Sequence, residues 1–155
     1  MTMSPTLTDD ELPWGRERLA GRREEWQLLL AWSLDEPWRV GQSAAVREAS
    51  VLGRGGPQTD DGLTRLVFHA RRPAASVPGP PLAASRVSRR QLRLVPSKDG
   101  RLEITSIGKC SFFVDGVETD QAIVDAGAVL TLKNALVLYV LRDAPLTPLA
   151  SYPAP

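Results

Sequence analysis

Two short stretches of this chain set guanidinium groups beside small residues. One is Gly53-Arg54-Gly55-Gly56, and the other is Leu82-Ala83-Ala84-Ser85-Arg86-Val87-Ser88-Arg89-Arg90-Gln91. The chemistry they suggest is phosphate binding. Arg presents a planar fork that engages two phosphate oxygens at once, Ser88 adds a short neutral donor, and glycine lets backbone N–H groups approach closely. Arg is usually a solvated surface residue and glycine usually a turn, so neither stretch is decisive alone. Their meaning depends on whether the fold brings them to one place.

Composition narrows the alternatives. The 19 basic and 18 acidic side chains give a formal charge of +1, so no global field draws in nucleic acid or anionic lipid, and anion binding has to come from a local cluster. One cysteine, Cys110, excludes an internal disulfide, and with one histidine, His69, it leaves no zinc or iron set. No metal and no cofactor are expected. The 155 residues suit about one domain. The polar start Met1-Thr2-Met3-Ser4-Pro5-Thr6 runs into Asp9-Asp10-Glu11 without the basic and apolar regions of a signal peptide. The longest apolar run, Ala135 to Leu141, is too short to cross a bilayer as a helix. These features lead to the expectation of a soluble cytoplasmic protein with no membrane contact.

Catalytic motifs are weak. No Gly-Lys-Ser/Thr follows Gly53-Arg54-Gly55-Gly56, which excludes a Walker loop, and the third glycine and helix of a dinucleotide fingerprint are missing. Ser106-Ile107-Gly108-Lys109 matches the Ser-x-x-Lys of serine acylases, but it lies on an expected strand without companion motifs. Carboxylates occur singly in turns, so no acid and base pair stands out. The chain reads as non-enzymatic.

The elements that must position the two stretches are strands. Leu28-Leu29-Leu30-Ala31-Trp32, closed by Asp35-Glu36-Pro37, reads as a buried strand with Trp26, Trp32 and Trp38 as core and edge packing. Ala45 to Leu52 reads as one strand delivering Gly53-Arg54, and Thr64 to Ala70 alternates with Leu66 and Phe68 on one side. Pro73, Pro78, Pro80 and Pro81 make residues 71–81 a long surface loop leading into the Ser88 segment. Gln91 to Val95 and Leu102 to Thr105 form a hairpin around Asp99-Gly100, and a second hairpin turns at Asp115-Gly116. Strands at 122–124, 128–132 and 135–142 follow, the last apolar on both faces as a central strand would be. About ten short strands with no helix between them predict an all-β sandwich. Residues 1–25 read as a mobile tail, 26–142 as the domain, and 143–155, with Pro145, Pro148, Pro153 and Pro155, as a linker.

With these residues in order, the sequence resembles a forkhead-associated (FHA) domain, the SMAD/FHA type of β-sandwich with about eleven strands. Gly53-Arg54 matches the family's Gly-Arg, and Ser88-Arg89-Arg90-Gln91 its Ser-x-x-His with glutamine in place of histidine. Lys109 to Gly116 lines up with the family's third region, with Cys110-Ser111 where the first Asn-Gly belongs and Asp115-Gly116 at the second. The resemblance implies a phosphothreonine-peptide module in which Arg54 and Arg89 engage the phosphate and Ser88 hydrogen-bonds one oxygen. It places Lys109, Cys110 and Ser111 at the peptide, and makes Gly53, Gln91, Asp115 and Gly116 supports of the binding loops. Leu30 to Gly41, followed by Val51-Leu52-Gly53-Arg54-Gly55, is similar to N-terminal sensor domains of sigma-54-dependent transcription activators of myxobacterial type. That likeness implies a kinase-linked phosphoprotein as partner and an AAA+ activator module, covalently linked or separate, with no direct nucleic-acid contact by this domain. Two other readings stay open: a phosphorylation-independent docking or dimerisation module, favoured by Cys110 and Gln91, and a nucleic-acid binder using Arg86, Arg89, Arg90 and Arg93. Cys110 reads as a structural thiol in preference to a redox sensor.

Overall fold

The computed structural model describes residues 25–55, 62–73 and 75–143. The tail expected over 1–25 lies outside them except for Glu25, the linker over 143–155 except for Asp143, and Gly56 lies outside as well. The strands are β1 (Glu25–Ser33), β2 (Ser43–Val46), β3 (Ser50–Leu52), β4 (Thr64–Arg65), β5 (His69–Arg72), β6 (Ala75–Pro78) and β7 (Leu92–Pro96). They continue with β8 (Leu102–Ser106), β9 (Phe112–Val114), β10 (Val117–Glu118), β11 (Gln121–Val124), β12 (Val129–Leu132) and β13 (Leu136–Asp143). An eight-stranded sheet in the order β10-β9-β12-β13-β1-β2-β5-β6 packs on a five-stranded sheet, β11-β8-β7-β3-β4. The architecture is the expected all-β sandwich, and its core is a single cluster that includes Leu28, Leu30, Leu94, Ile104, Leu130 and Leu138.

Several boundaries differ from the sequence reading, each for a physical reason. The strand expected over 45–52 is two strands, because the chain crosses from one sheet to the other between Val46 and Ser50. Residues 71–81 are not all loop: β5 and β6 form a hairpin with His69 opposite Pro78. The proline is tolerated because β6 is the sheet edge, where no further strand needs its N–H. Strand β13 is central, yet it buries Leu136, Leu138 and Val140 while Tyr139 stands exposed, so only one of its faces is covered.

Trp32 and Trp38 are not core residues. Uninterrupted alternation from Trp26, Leu28 and Leu30 would turn Trp32 inward, but the register with β13 slips between Leu30 and Trp32. One extra residue reverses the phase. Trp32 therefore faces solvent at 42% exposure and Ser33 is buried at 2%. The inward Ser33 hydroxyl accepts the Glu36 N–H at 3.1 Å, which starts the single 3-10 turn Pro37–Arg39. Trp38 remains outside, and the Arg39 guanidinium turns inward with its carbon 4.5 Å from the Trp38 ring centre.

Arg39 is wholly buried. Its Nε lies 3.0 Å from Glu36 Oε2, near enough to pair though off the hydrogen-bond line. Nη1 donates to Gln42 Oε1 at 3.2 Å, and Nη2 to the carbonyls of Pro80 and Pro81 at 2.5 and 2.8 Å. Removing one partner of such a pair strands the other charge. Arg39→Met is expected to lower stability by about 3–5 kcal/mol in urea unfolding. Adding Glu36→Gln should recover part of that loss, and a double variant no better than the single would show that the stranded carboxylate is not its source.

Candidate functional site

The strand register brings the sequence-selected loops to one end of the small sheet. Leu52 at the end of β3 pairs with Leu92 at the start of β7, and Leu92 pairs with Ser106 at the end of β8. The loop after β3, the segment before β7 and the loop between β8 and β9 therefore leave from one row. Backbone hydrogen bonds join the first two directly. The Arg54 N–H donates to the Ser88 carbonyl at 3.1 Å, the Gly55 N–H to Leu82 at 3.0 Å, and the Gln91 N–H to Leu52 at 2.9 Å.

Gly53 is required by this contact. A Cβ there would sit 1.9 Å from the Arg89 carbonyl oxygen, so any side chain would drive the loops apart. The other tie is Arg65, which the sequence reading did not single out. Strict alternation would put it on the face opposite Leu66, but β4 ends at Arg65 and both residues are buried. Its Nη1 donates to the carbonyls of Arg54 and Arg89, at 3.1 and 2.5 Å. One buried guanidinium thus holds the backbones of the two arginines expected to meet phosphate, whose own side chains belong to exposed residues.

Gln91 ties in the third loop. Fully buried, it accepts from the N–H groups of Ser88 at 3.0 Å and Cys110 at 3.3 Å through Oε1, and donates through Nε2 to the Cys110 carbonyl at 3.0 Å. Its own carbonyl accepts from Ile107 and Gly108. Gly108 has no room for a side chain, since a Cβ would lie 2.6 Å from Gln91 Oε1. The glycine in the chance Ser-x-x-Lys match is therefore a packing glycine. Ser88 Oγ accepts the Lys109 N–H at 2.9 Å, which leaves the hydroxyl proton to donate outward.

The expected residues do not all converge. Arg54, Ser88, Arg89, Lys109, Cys110 and Ser111 share the rim, with Gly53 and Gln91 beneath. Asp115 and Gly116 are elsewhere. They form the β9–β10 turn at the opposite end of β9 from Ser111, with φ of 49° and 83°. Asp115 exchanges hydrogen bonds with Val129 on β12, while Ser111 accepts from Lys133 past the other end of that strand. A strand carries its two ends apart, so this turn braces the far hairpin and not the rim loops.

Cys110 donates its thiol to the Lys133 carbonyl at 3.4 Å. Burial pushes its pKa above the ordinary value, with the Arg86 charge pulling only partly the other way. The protonated thiol predominates at neutral pH, unlike the low-pKa thiolate a redox sensor needs. Two further carboxylates were passed over in the sequence as mere strand-end residues. Glu36 Oε1 accepts the Ala83 N–H at 3.0 Å, and Asp35 Oδ2 accepts the Ser85 N–H at 2.7 Å and its hydroxyl at 3.0 Å. With Leu82, Ala84 and Val87 buried, the segment before β7 is anchored along its length. Among the described residues no group of three metal-ligating side chains occurs, and no helix is long and apolar enough to cross a membrane.

The sandwich gathers exposed cations on stitched loops at one end. Its fold is that of forkhead-associated domains. One similar structure is an FHA domain from an analysis of phosphothreonine-dependent FHA interactions, with 19% identity, a TM-score of 0.51, and coverage of 79% of this chain and 99% of that one. The FHA domain of the CT664 protein of Chlamydia trachomatis is similar at 15% identity and a TM-score of 0.52, covering 76% and 96%. EmbR of Mycobacterium tuberculosis, in complex with a low-affinity phosphopeptide, is similar at 12% identity and a TM-score of 0.53, over 85% of this chain and 28% of that one. No family model and no curated protein matches the sequence.

Two outcomes test this geometry. Gly53→Ala is expected to cost about 1–3 kcal/mol through overpacking, read from the unfolding midpoint; a variant as stable as the parent would mean the loops are not in contact. Asp35 is held below the ordinary aspartate value of 3.8, first by the Ser85 N–H, then by the Ser85 hydroxyl and the Arg86 charge. Because the folded value is the lower, the contact stabilises the loop above the unfolded pKa and is lost as pH falls through the folded one. Carboxyl NMR should therefore show Asp35 titrating below 3.8, with the Ser85 amide shift following, and Ser85→Ala should move the midpoint upward.

Proposed function

We propose that this rim binds a phosphothreonine-containing peptide or protein. Arg54 and Arg89 act as charge-assisted donors to the phosphate, Ser88 donates its hydroxyl proton to one oxygen, and Lys109, Cys110 and Ser111 face the peptide from the opposing loop. The observation that carries the reading is the 3.1 Å bond from the Arg54 N–H to the Ser88 carbonyl, which joins two loops chosen for phosphate chemistry from sequence alone. A phosphate of about −1.5 to −2 charge meets donors whose backbones are already fixed, so little ordering cost opposes binding. The complex of EmbR with a phosphopeptide supports the same use of the fold.

The role is recognition without catalysis. The partner is a phosphoprotein made by a kinase, and the likeness of residues 30–41 and 51–55 to activator sensor domains supports control of a sigma-54-dependent activator. One observation favours a second reading, phosphorylation-independent docking: the Cys110 thiol is turned to the Lys133 carbonyl, and no amide is present there to hold a peptide backbone.

Calorimetry with a phosphothreonine peptide and its unphosphorylated twin separates the two. The phosphopeptide should bind, and Arg54→Ala or Ser88→Ala should each weaken it by about 1.5–3 kcal/mol, roughly ten- to 150-fold, with the domain still folded. Equal affinity for both twins would establish docking instead.

A further inference from the structure

The outer face of the eight-stranded sheet is apolar at its centre. Strand β13 sends Leu136, Leu138 and Val140 into the core, so Val137, Tyr139 and Leu141 stand on the other side. Cross-strand partners share a face, which places Val129 of β12 and Leu29 of β1 beside Tyr139, and Trp32 beside Val137. Tyr139 and Trp32 are 44% and 42% exposed. The charged Glu25 and Arg47 stand at the end of this face and are paired to each other. Among the described residues no third layer of strands or helices covers it. We infer that residues 144–155, the stretch expected to serve as a linker, turn back from β13 and lie along this face. They are outside the described residues, and what points to them is their composition and their place of attachment.

Composition fits. Residues 144–155 carry no charged side chain. Leu146, Leu149 and Tyr152 recur every third residue, with Pro145, Pro148 and Pro153 beside them. Prolines favour the polyproline II conformation, which has three residues per turn, so these three side chains would fall on one edge at intervals of about 9 Å. Such a helix makes no internal hydrogen bonds and keeps its carbonyls in water while its apolar edge meets aromatic side chains, here Tyr139 and Trp32. That suits a surface whose own backbone groups are engaged in the ladders of β13 with β1 and β12, so that it offers side chains alone. The N-terminal residues suit it poorly, because the charges at 9–11, 16–18 and 22–24 would lose water there without partners.

Reach also fits. Asp143, where β13 ends, is six residues and so about 20 Å beyond Val137. The twelve residues that follow span about 37 Å at about 3.1 Å each, enough to reverse direction and still run the length of the face. Attachment at Asp143 decides against a second copy as occupant. A short tether gives an effective concentration on the order of millimolar, roughly a thousandfold above that of a free partner at micromolar protein.

Side-chain NMR of the full chain tests this. Nuclear Overhauser contacts should join the Leu146 and Leu149 methyls to the Tyr139 ring, and Tyr152 to Val137 and Trp32. A mixture of isotope-labelled and unlabelled chains should show that the contacts arise within one chain. Leu149→Asp, a change outside the sandwich core, should release the segment and shift the Tyr139 and Trp32 signals. Tyr139→Lys should return the Leu146 and Leu149 methyls to the shifts of a free peptide, with the core methyls of Leu130 and Leu138 in place, and Tyr139→Phe should retain the contacts. Contacts confined to residues 141–143, or Tyr139 and Trp32 signals that Leu149→Asp leaves unmoved, overturn the inference. Contacts found only between chains would make a second copy the occupant, and contacts from residues 1–24 would make it the N-terminal stretch; either overturns it too. Phosphopeptide affinity is not the readout, so the reading of the rim is decided separately.

Discussion

The site depends on one buried amide. Gln91 is the point where the end of β3, the Ser88 segment and the loop between β8 and β9 all meet, through its backbone N–H, its carbonyl and both ends of its side chain. An amide suits the position because it offers an acceptor and a donor together, and the loops present N–H groups on one side and the Cys110 carbonyl on the other. Nothing in this bracing titrates. A histidine in the same place would change charge near neutral pH, whereas an amide holds the three loops alike across the physiological range.

A second layer of support is ionic and lies behind the loops. The carbonyls of Pro80 and Pro81 need donors, and the ring nitrogens of a proline pair cannot join a ladder to bring strand neighbours alongside. Arg39 resolves this from beneath with one guanidinium, and Glu36 balances the charge while also accepting the Ala83 N–H. Arg65 does the corresponding work between the other two loops. Both arginines are turned inward, Arg65 onto backbone carbonyls and Arg39 onto carbonyls and the Gln42 amide oxygen, while Arg54, Arg86, Arg89 and Lys109 of the rim are exposed. A near-neutral protein thus acquires a cationic end without a field over the whole molecule.

Much of this was legible in the residues. Alternation and turn chemistry located most of the strands, and the Asp115-Gly116 turn lies at its expected place with positive φ at both positions. The rim could be selected because Arg, Ser and Gly have a chemistry that survives without coordinates. What could not be read were the residues acting at a distance. Arg65 and Arg39 belong to a type that is normally solvated, and their burial follows from the end of β4 and from a bulge that no local pattern announces. Trp32 was misplaced by that same bulge, since a phase reversal is invisible to a period-two reading. Asp115-Gly116 was recognised correctly as a turn and assigned to the wrong end of the molecule, because a motif's order in sequence does not say which end of a strand it occupies.

The rim is uneven in what it can grip, and that unevenness bears on how a ligand would be held. On the Arg54 side, charged donors and a free hydroxyl proton stand together on fixed backbone. On the Cys110 side the side chain is a protonated thiol committed to Lys133, a weak donor already in use. The two sides therefore differ in donor strength, charged and free beside Arg54, weak and engaged beside Cys110.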